Sequence, residues 1–221
     1  FGNAVAGTAV SFGAPATGSV TVAAPTAADG TTSATGTLGH TAGAQAFTAT
    51  SGTLAGSPVS FAATATSGAA ANIAVVSGAG QTGTVGLALA LPFVVKVTDS
   101  FGNAVAGTAV AFAAPATGSV TVAAPTAADG TTSAVGTLGH TAGAQTFTAT
   151  SGTLTGSPTS FGATAKAGAA ASIAVVSGAG QTGTVGTALA QPFIVRVQDA
   201  FTNNVPGVTV TFAAPATGSV T

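Results

Sequence analysis

The sequence predicts an all-β chain, built from antiparallel β-sandwich domains of about 100 residues set in tandem. Three observations carry that expectation. Apolar residues alternate with a period of two along short runs. Gly, Pro, Asn and Asp cluster between those runs, where turns need them. Residues 1–100 return as 101–200, differing at about one position in six, and 201–221 begins a third copy. A period of that length is a whole domain; solenoid turns repeat every 20–50 residues or so.

The stretch at 93–112, FVVKVTDSFGNAVAGTAVAF, organises the rest and reads as strand, turn, strand. In its first arm Phe93, Val95 and Val97 alternate with Val94, Lys96 and Thr98, the mark of a strand buried on one face. In its second arm Val110 and Phe112 alternate with Ala109 and Ala111. Between them Asp99-Ser100-Phe101-Gly102-Asn103 supplies residues that tolerate turn dihedrals. The turn and second arm open the chain at Phe1, and the whole stretch returns at Phe193.

The copies test the assignment internally. They agree at Phe93/Phe193, Val95/Val195 and Val97/Val197 and differ at Val94/Ile194, Lys96/Arg196 and Thr98/Gln198. Phe47/Phe147 and Phe61/Phe161 match while Ala46/Thr146 and Ala62/Gly162 differ, so variation falls on the parity expected to face solvent. Val59/Thr159 is the exception.

Small-residue runs at 67–71 (SGAAA) and 167–171 (AGAAA) read as linkers. They divide the chain into a partial domain at 1–68 lacking its first strands, a complete domain at 72–166, and a partial domain at 170–221 holding only N-terminal strands. Inside 72–166 the expected order is a strand at 73–77, a Gly-rich crossing at 78–86, a strand at 93–98 and its partner at 108–113. GSVTV at 118–122 and the turn Asp129-Gly130 follow, then strands near 131–138, 145–150 and 159–165. That makes about seven strands without helical periodicity. The five Phe of the unit (93, 101, 112, 147, 161) are the expected core, each worth about 2–3 kcal/mol on burial. Val95, Val97 and Val110 join them inside; Lys96, Thr146 and Lys166 point out.

Composition narrows the function. The chain has 32 Gly and a net charge of −1, with 3 Lys+Arg and 4 Asp+Glu. Its longest apolar runs, Leu87 to Val95 and Ala167 to Val176, fall short of the roughly 20 residues of a spanning helix. With neither Trp nor Tyr it lacks the aromatic girdles of an outer-membrane barrel. High hydrophobicity disfavours disorder. The missing basic clusters leave no footprint for nucleic acid or anionic lipid. With no Cys there are neither disulfides nor thiolate sites.

No catalytic, cofactor-binding or metal-binding residue is expected. The chain contains no Glu, and Asp99 and Asp129 sit where turns favour Asp. Calcium wants six to eight oxygen ligands or so, commonly several carboxylates. His40 and His140 stand alone in GHTAG loops, which suits neither zinc nor a catalytic triad. The G-x-G-x-x-G spacing at Gly78–Gly83 follows a strand but leads into no helix, so it does not read as a phosphate loop. A Lys–Asn crosslink is disfavoured because Lys96 becomes Arg196 and Lys166 stands opposite Thr66.

The run IAVVSGAGQTGTVGTALAQPFIVRVQDAFTNNVPGVTVTF (173–212), with DG at 129–130, TAGAQTFTAT at 141–150 and SPTSFGATA at 157–165, resembles the bacterial Ig-like domains of group 1. These are the tandem repeats of invasin- and intimin-type surface proteins. The resemblance covers essentially the whole chain. It implies tandem Ig-like sandwiches serving as an extracellular stalk or adhesin module on a prokaryotic cell surface. Residues 205–212 keep the family's V-P-G-V-T-V-T-F, whereas Val105-Ala106-Gly107 and Val5-Ala6-Gly7 lack the proline. Ala and Thr replace most of the charged residues usual on such stalks, and a low-charge surface favours packing against copies of itself.

The expected role is therefore a non-enzymatic structural repeat of a long surface protein or fibre, with an adhesin repeat that binds a ligand as the alternative. Expected partners are neighbouring repeats or copies of the chain, head-to-tail and laterally. An open half-domain at 1–68 should expose Phe12, Phe47 and Phe61, and residues 169–221 supply the missing half up to a strand at 208–213. Flanking repeats in the same polypeptide, or strand donation between molecules, would close it. The overlap of 1–21 with 201–221 favours the former.

Overall fold

A computed structural model describes residues 2–22, 25–121, 123–216 and 218. Among them are sixteen strands and no helix. The first repeat supplies β1 (Ser11–Gly13), β2 (Ser19–Val22), β3 (Ala34–Thr37), β4 (Gly43–Thr50) and β5 (Val59–Ala65). The second supplies β6 (Asn72–Ser77), β7 (Gln81–Thr84), β8 (Phe93–Thr98), β9 (Ala111–Ala113), β10 (Ser119–Val120), β11 (Thr131–Ala134), β12 (Gly136–Thr137), β13 (Gly143–Thr150) and β14 (Thr159–Lys166). β15 (Ser172–Ser177) and β16 (Ile194–Gln198) follow.

The chain forms two compact units. The first is Phe1–Ile73 with Lys96–Thr108 and Thr126–Thr131; the second is Ala74–Val95, Ala109–Pro125 and Thr132–Thr221. The first unit holds the antiparallel sheet β1-β4-β5 and the pair β2-β3. The second holds the four-stranded sheet β7-β14-β13-β9 with the pairs β10-β12 and β15-β16. A further sheet takes the order β11-β8-β6.

The alternation along β8 is realised as expected: Phe93, Val95 and Val97 are fully buried and Val94, Lys96 and Thr98 half-buried. Phe147, Phe161 and Val110 are buried and Phe112 is half-buried, while Thr146 and Lys166 face out. In the second unit the Phe93 ring packs 4.7 Å from that of Phe147 and 4.6 Å from that of Phe161. This aromatic triple joins the two faces of the sandwich, with Phe112 on β9 stacked at 6.2 Å against Phe161.

Several expectations need correction. The two arms of 93–112 are not partners. β8 lies between β11 and β6, whereas β9 pairs with β13 in the other sheet. The arms touch only at their base, through the Thr98–Ala104 bridge and the Val105 N–H to Val97 carbonyl bond. Beyond it Gly107, at φ +74°, donates to the Thr126 carbonyl at 2.7 Å, and the second arm goes to the other sheet.

The Gly-rich crossing contains a strand. β7 pairs parallel with β14, Gln81 opposite Ala163 through Thr84 opposite Lys166. No side chain there is apolar, so the backbone ladder rather than apolar periodicity makes the strand. The run 131–138 is broken at Val135 into β11 and β12, which join different sheets. Phe101 is not a core residue but is 59% exposed in its turn. In the first unit Phe61 is exposed as expected, whereas Phe12 and Phe47, also expected to be exposed, are half-buried. No strand forms at 208–213. The reading of Phe1 as a turn residue and of Val122 as the end of a strand lies outside the described residues.

Candidate functional site

Phe101 leads to the arrangement that recurs once per repeat. It is built from a loop, a turn and the contact between them.

The loop is Gly39–Gly43, ahead of β4. The Gln45 side chain folds back over it: Oε1 accepts the Gly39 N–H at 2.7 Å, and Nε2 donates to the Gly39 and Thr41 carbonyls at 3.2 and 2.7 Å. The Thr17 hydroxyl accepts the His40 N–H at 2.8 Å. A side-chain amide that satisfies three backbone groups fixes the loop without a strand ladder.

The turn is Asp99–Asn103, and Asp99 organises it. One carboxylate oxygen accepts the backbone N–H groups of Phe101 and Asn103 at 2.9 and 2.8 Å. The other accepts Asn103 Nδ2 and the Gly68 N–H, both at 2.8 Å. Residues 67–71, read as a linker, are therefore tied to the turn, and the Ala71 N–H adds a bond to the Thr98 carbonyl at 2.8 Å. Asp99 is buried, and its pKa is held at about 2 against an ordinary 3.8. The Asn103 side chain is the largest cause, and the backbone N–H groups help it outweigh the cost of burial.

Turn and loop then meet. The His40 ring stacks on Phe101 with centroids 4.1 Å apart and planes at 15°. Asn103 bridges beneath it, accepting the Ala42 N–H at 2.9 Å and donating to the His40 carbonyl at 2.8 Å. All of this lies within the first unit.

The second unit repeats it 100 residues on. His140 stacks on Phe201 at 4.0 Å and 10°. Asn203 accepts the Ala142 N–H and donates to the His140 carbonyl, both at 2.8 Å. Gln145, buried, closes the loop as Gln45 does. Gly168 donates to Asp199 at 2.8 Å. For Asp199 burial pulls upward most strongly, yet Asn203 and the N–H donors hold the pKa at about 2. Gly86, at φ +74°, lies against this second stack, where a methyl would come within 3.3 Å of Phe201 and 3.6 Å of His140.

Sequence reasoning placed His40 and His140 in loops and Asp99 in a turn but did not bring them together. The available signal was the fixed 61-residue spacing from His40 to Phe101, kept in His140 and Phe201. Asp129 stays apart, closing its own turn on the Thr131 N–H and hydroxyl at 2.9 and 2.7 Å. Among the described residues no three His or Asp side chains gather as a metal site, and no helix is long and apolar enough to cross a membrane.

These elements define a class of fold: tandem Ig-like antiparallel β-sandwiches. Solved structures share it, FdeC and InvD among them. FdeC, described as a broadly conserved Escherichia coli adhesin, is similar at 22% identity and TM-score 0.56 over 93% of this chain and 67% of that one. InvD of Yersinia pseudotuberculosis is similar at 20% identity and TM-score 0.53 over 92% of this chain and 63% of that one. The chain thus spans about two thirds of the length of each. No family model and no curated protein matches it.

Proposed function

We propose that the chain is a non-enzymatic structural repeat of a bacterial surface protein or extracellular fibre, divided into domains at 1–68, 72–166 and 170–221. The observation that carries this is the joint itself, which links residues 39–45 of one proposed domain to 99–103 of the next and recurs with the same partners 100 residues on. A device repeated at every copy serves the array rather than a substrate. Its polar groups are spent on structure: the four bonds to the Asp99 side chain and the three to the Asn103 side chain are internal, and each His ring is stacked. The adhesin and InvD folds support a surface location and extracellular use. The neighbouring copies of the repeat are its first partners.

A binding role for the same repeats is the second reading, favoured by Leu87 and Leu91, both about 60% exposed on the second repeat. One experiment addresses location. Antibodies against the chain should label intact cells of its source without permeabilisation. Labelling that needs permeabilisation would overturn the surface reading.

A further inference from the structure

We propose that the parallel ladder between β7 and β14 is the mechanical clamp of the repeat, the element that bears the load when the array is pulled end to end. The proposal rests on the reading of the chain as a structural array. It concerns the repeat at 72–166, which has residues of a neighbouring copy on both sides within this chain.

β7 adds little to the core. Gln81-Thr82-Gly83-Thr84 brings no apolar side chain, and Gly83 lies flush on the interior, where a methyl would come within 2.9 Å of Leu138 Cδ1 and 3.3 Å of Leu89 Cδ2. The strand contributes backbone bonds instead. Gln81 to Thr84 lie opposite Ala163 to Lys166. The ladder is prolonged at both ends, by the Gly80 N–H to the Gly162 carbonyl at 2.8 Å and the Val85 N–H to the Lys166 carbonyl at 2.9 Å. Its head is also pinned. Gln81 Nε2 donates to the Gly78 and Leu91 carbonyls at 2.7 and 2.9 Å, and its Oε1 accepts the Leu91 N–H at 2.9 Å.

Direction gives the ladder its role. The chain enters the repeat ahead of β7 and leaves it after β14. Tension from the two neighbours therefore pulls β7 by its N-terminal end and β14 by its C-terminal end. In a parallel pair those two ends lie at opposite ends of the ladder, so the strands are drawn past one another along their length. The hydrogen bonds run between the strands at even spacing, so all of them are strained together. An antiparallel pair loaded at the same two ends would open from one end, bond after bond. The other neighbour of β14 is of that kind: β13 pairs with it antiparallel and precedes it directly in the chain, off the path from β7 to β14. Within its sheet β7 pairs with β14 alone, so this ladder takes the load first.

The chain contains no Cys, so pulling handles can be attached at introduced pairs. Ala69 and Ala169 are exposed in the two small-residue runs, and handles there load the repeat along the array. Ala79 and Gly162 are exposed at the head of the ladder, and handles there open the same bonds from one end. The first copy has Ala62 in β5 where the second has Gly162, so that position accepts a side chain. Both chains are pulled singly at one rate. The Ala69→Cys, Ala169→Cys chain should give way in a single step. Forced unfolding follows the unfolding barrier, so the Ala79→Cys, Gly162→Cys chain should yield at about half that force or less. Equal forces in the two directions, or a lower force along the array, would overturn the clamp. That result is read on the purified chain and leaves the surface location untouched, whereas the labelling of intact cells decides the location and leaves the clamp untouched.

Discussion

His40 and Phe101 lie ring on ring, 4.1 Å apart and 15° from parallel, although 61 residues separate them. Neither ring belongs to a sheet. Each is presented by a backbone that a single side chain has shaped: Gln45 holds the His40 loop, and Asp99 holds the Phe101 turn. Stacked aromatic pairs contribute about 0.5–1.5 kcal/mol beyond burial. The joint therefore draws as much on Asn103, which bonds to both sides, as on the rings.

Replacing Asn103 by Ala removes a donor and an acceptor from the joint and a partner from the Asp99 carboxylate. Stranding partly buried groups costs about 1–3 kcal/mol. For a unit of this size each kcal/mol lowers the melting midpoint by roughly 4–8 °C. Thermal unfolding of the Asn103→Ala chain should show that drop. A curve superimposable on the parent's would mean that Asn103 contributes nothing to the joint.

Acid should loosen the joint late. The carboxyls of Asp99 and Asp199 are held at about 2, below the ordinary 3.8. A depressed folded-state pKa stabilises fully above the unfolded value and is lost as pH falls through the folded one. Stability should thus be level from neutrality to about pH 4.5 and decline between about 4 and 2. The Asp99→Asn, Asp199→Asn chain should be less stable near neutrality and show a smaller decline, the remainder coming from Asp29 and Asp129, whose bonds to Thr31 and Thr131 also hold their carboxyls low. A parent midpoint that already slides between pH 7 and 5 would contradict it.

Chelation should leave melting unchanged. A carboxylate whose oxygens each accept two N–H groups has its lone pairs engaged, and calcium would have to displace them. A drop of several degrees in EDTA would show an ion at the joint.

The third copy carries a strained residue. Thr202 sits at φ +69°, where the second copy has Gly102 at +87°. The left-handed region costs a β-branched residue about 1–2 kcal/mol. Thr202→Gly should raise the midpoint of the second unit, since the bond from Gln198 Nε2 goes to the Thr202 carbonyl and survives. Thr117, at φ +60°, should behave differently. Its hydroxyl accepts the His140 N–H at 2.8 Å, so Thr117→Gly trades strain for a lost bond. Equal gains from both substitutions would refute the distinction.

Alternation made the faces of β8, β13 and β14 legible, because a period of two states which side is buried. It does not state which strand lies alongside. The second arm of 93–112 went to β13 because Gly107 and Thr126 pin the chain to that crossing, a contact between residues 19 apart. β7 was hidden because Gln81-Thr82-Gly83-Thr84 has little apolar content, and its order comes from the edge of β14. Phe101 was misplaced because an apolar residue suggests a core, whereas its turn offers a His ring instead. For the same reason the joint escaped detection: its residues are ordinary turn and loop residues until the two loops meet.

Two equivalent glycines test whether the open face differs from the closed one. A methyl on Gly136 would lie 2.5 Å from a Phe93 ring carbon and 2.8 Å from Phe147. Both rings are fully buried, so neither has room to move, and overpacking of that kind costs about 1–3 kcal/mol. A methyl on Gly36 would lie 2.7 Å from the Phe47 ring, with no second ring among its nearest neighbours. Phe47 is only half-buried and can swing toward the open face. Gly136→Ala should therefore lower the melting midpoint distinctly more than Gly36→Ala when the chain is dilute. Equal costs would show that Phe47 is already confined.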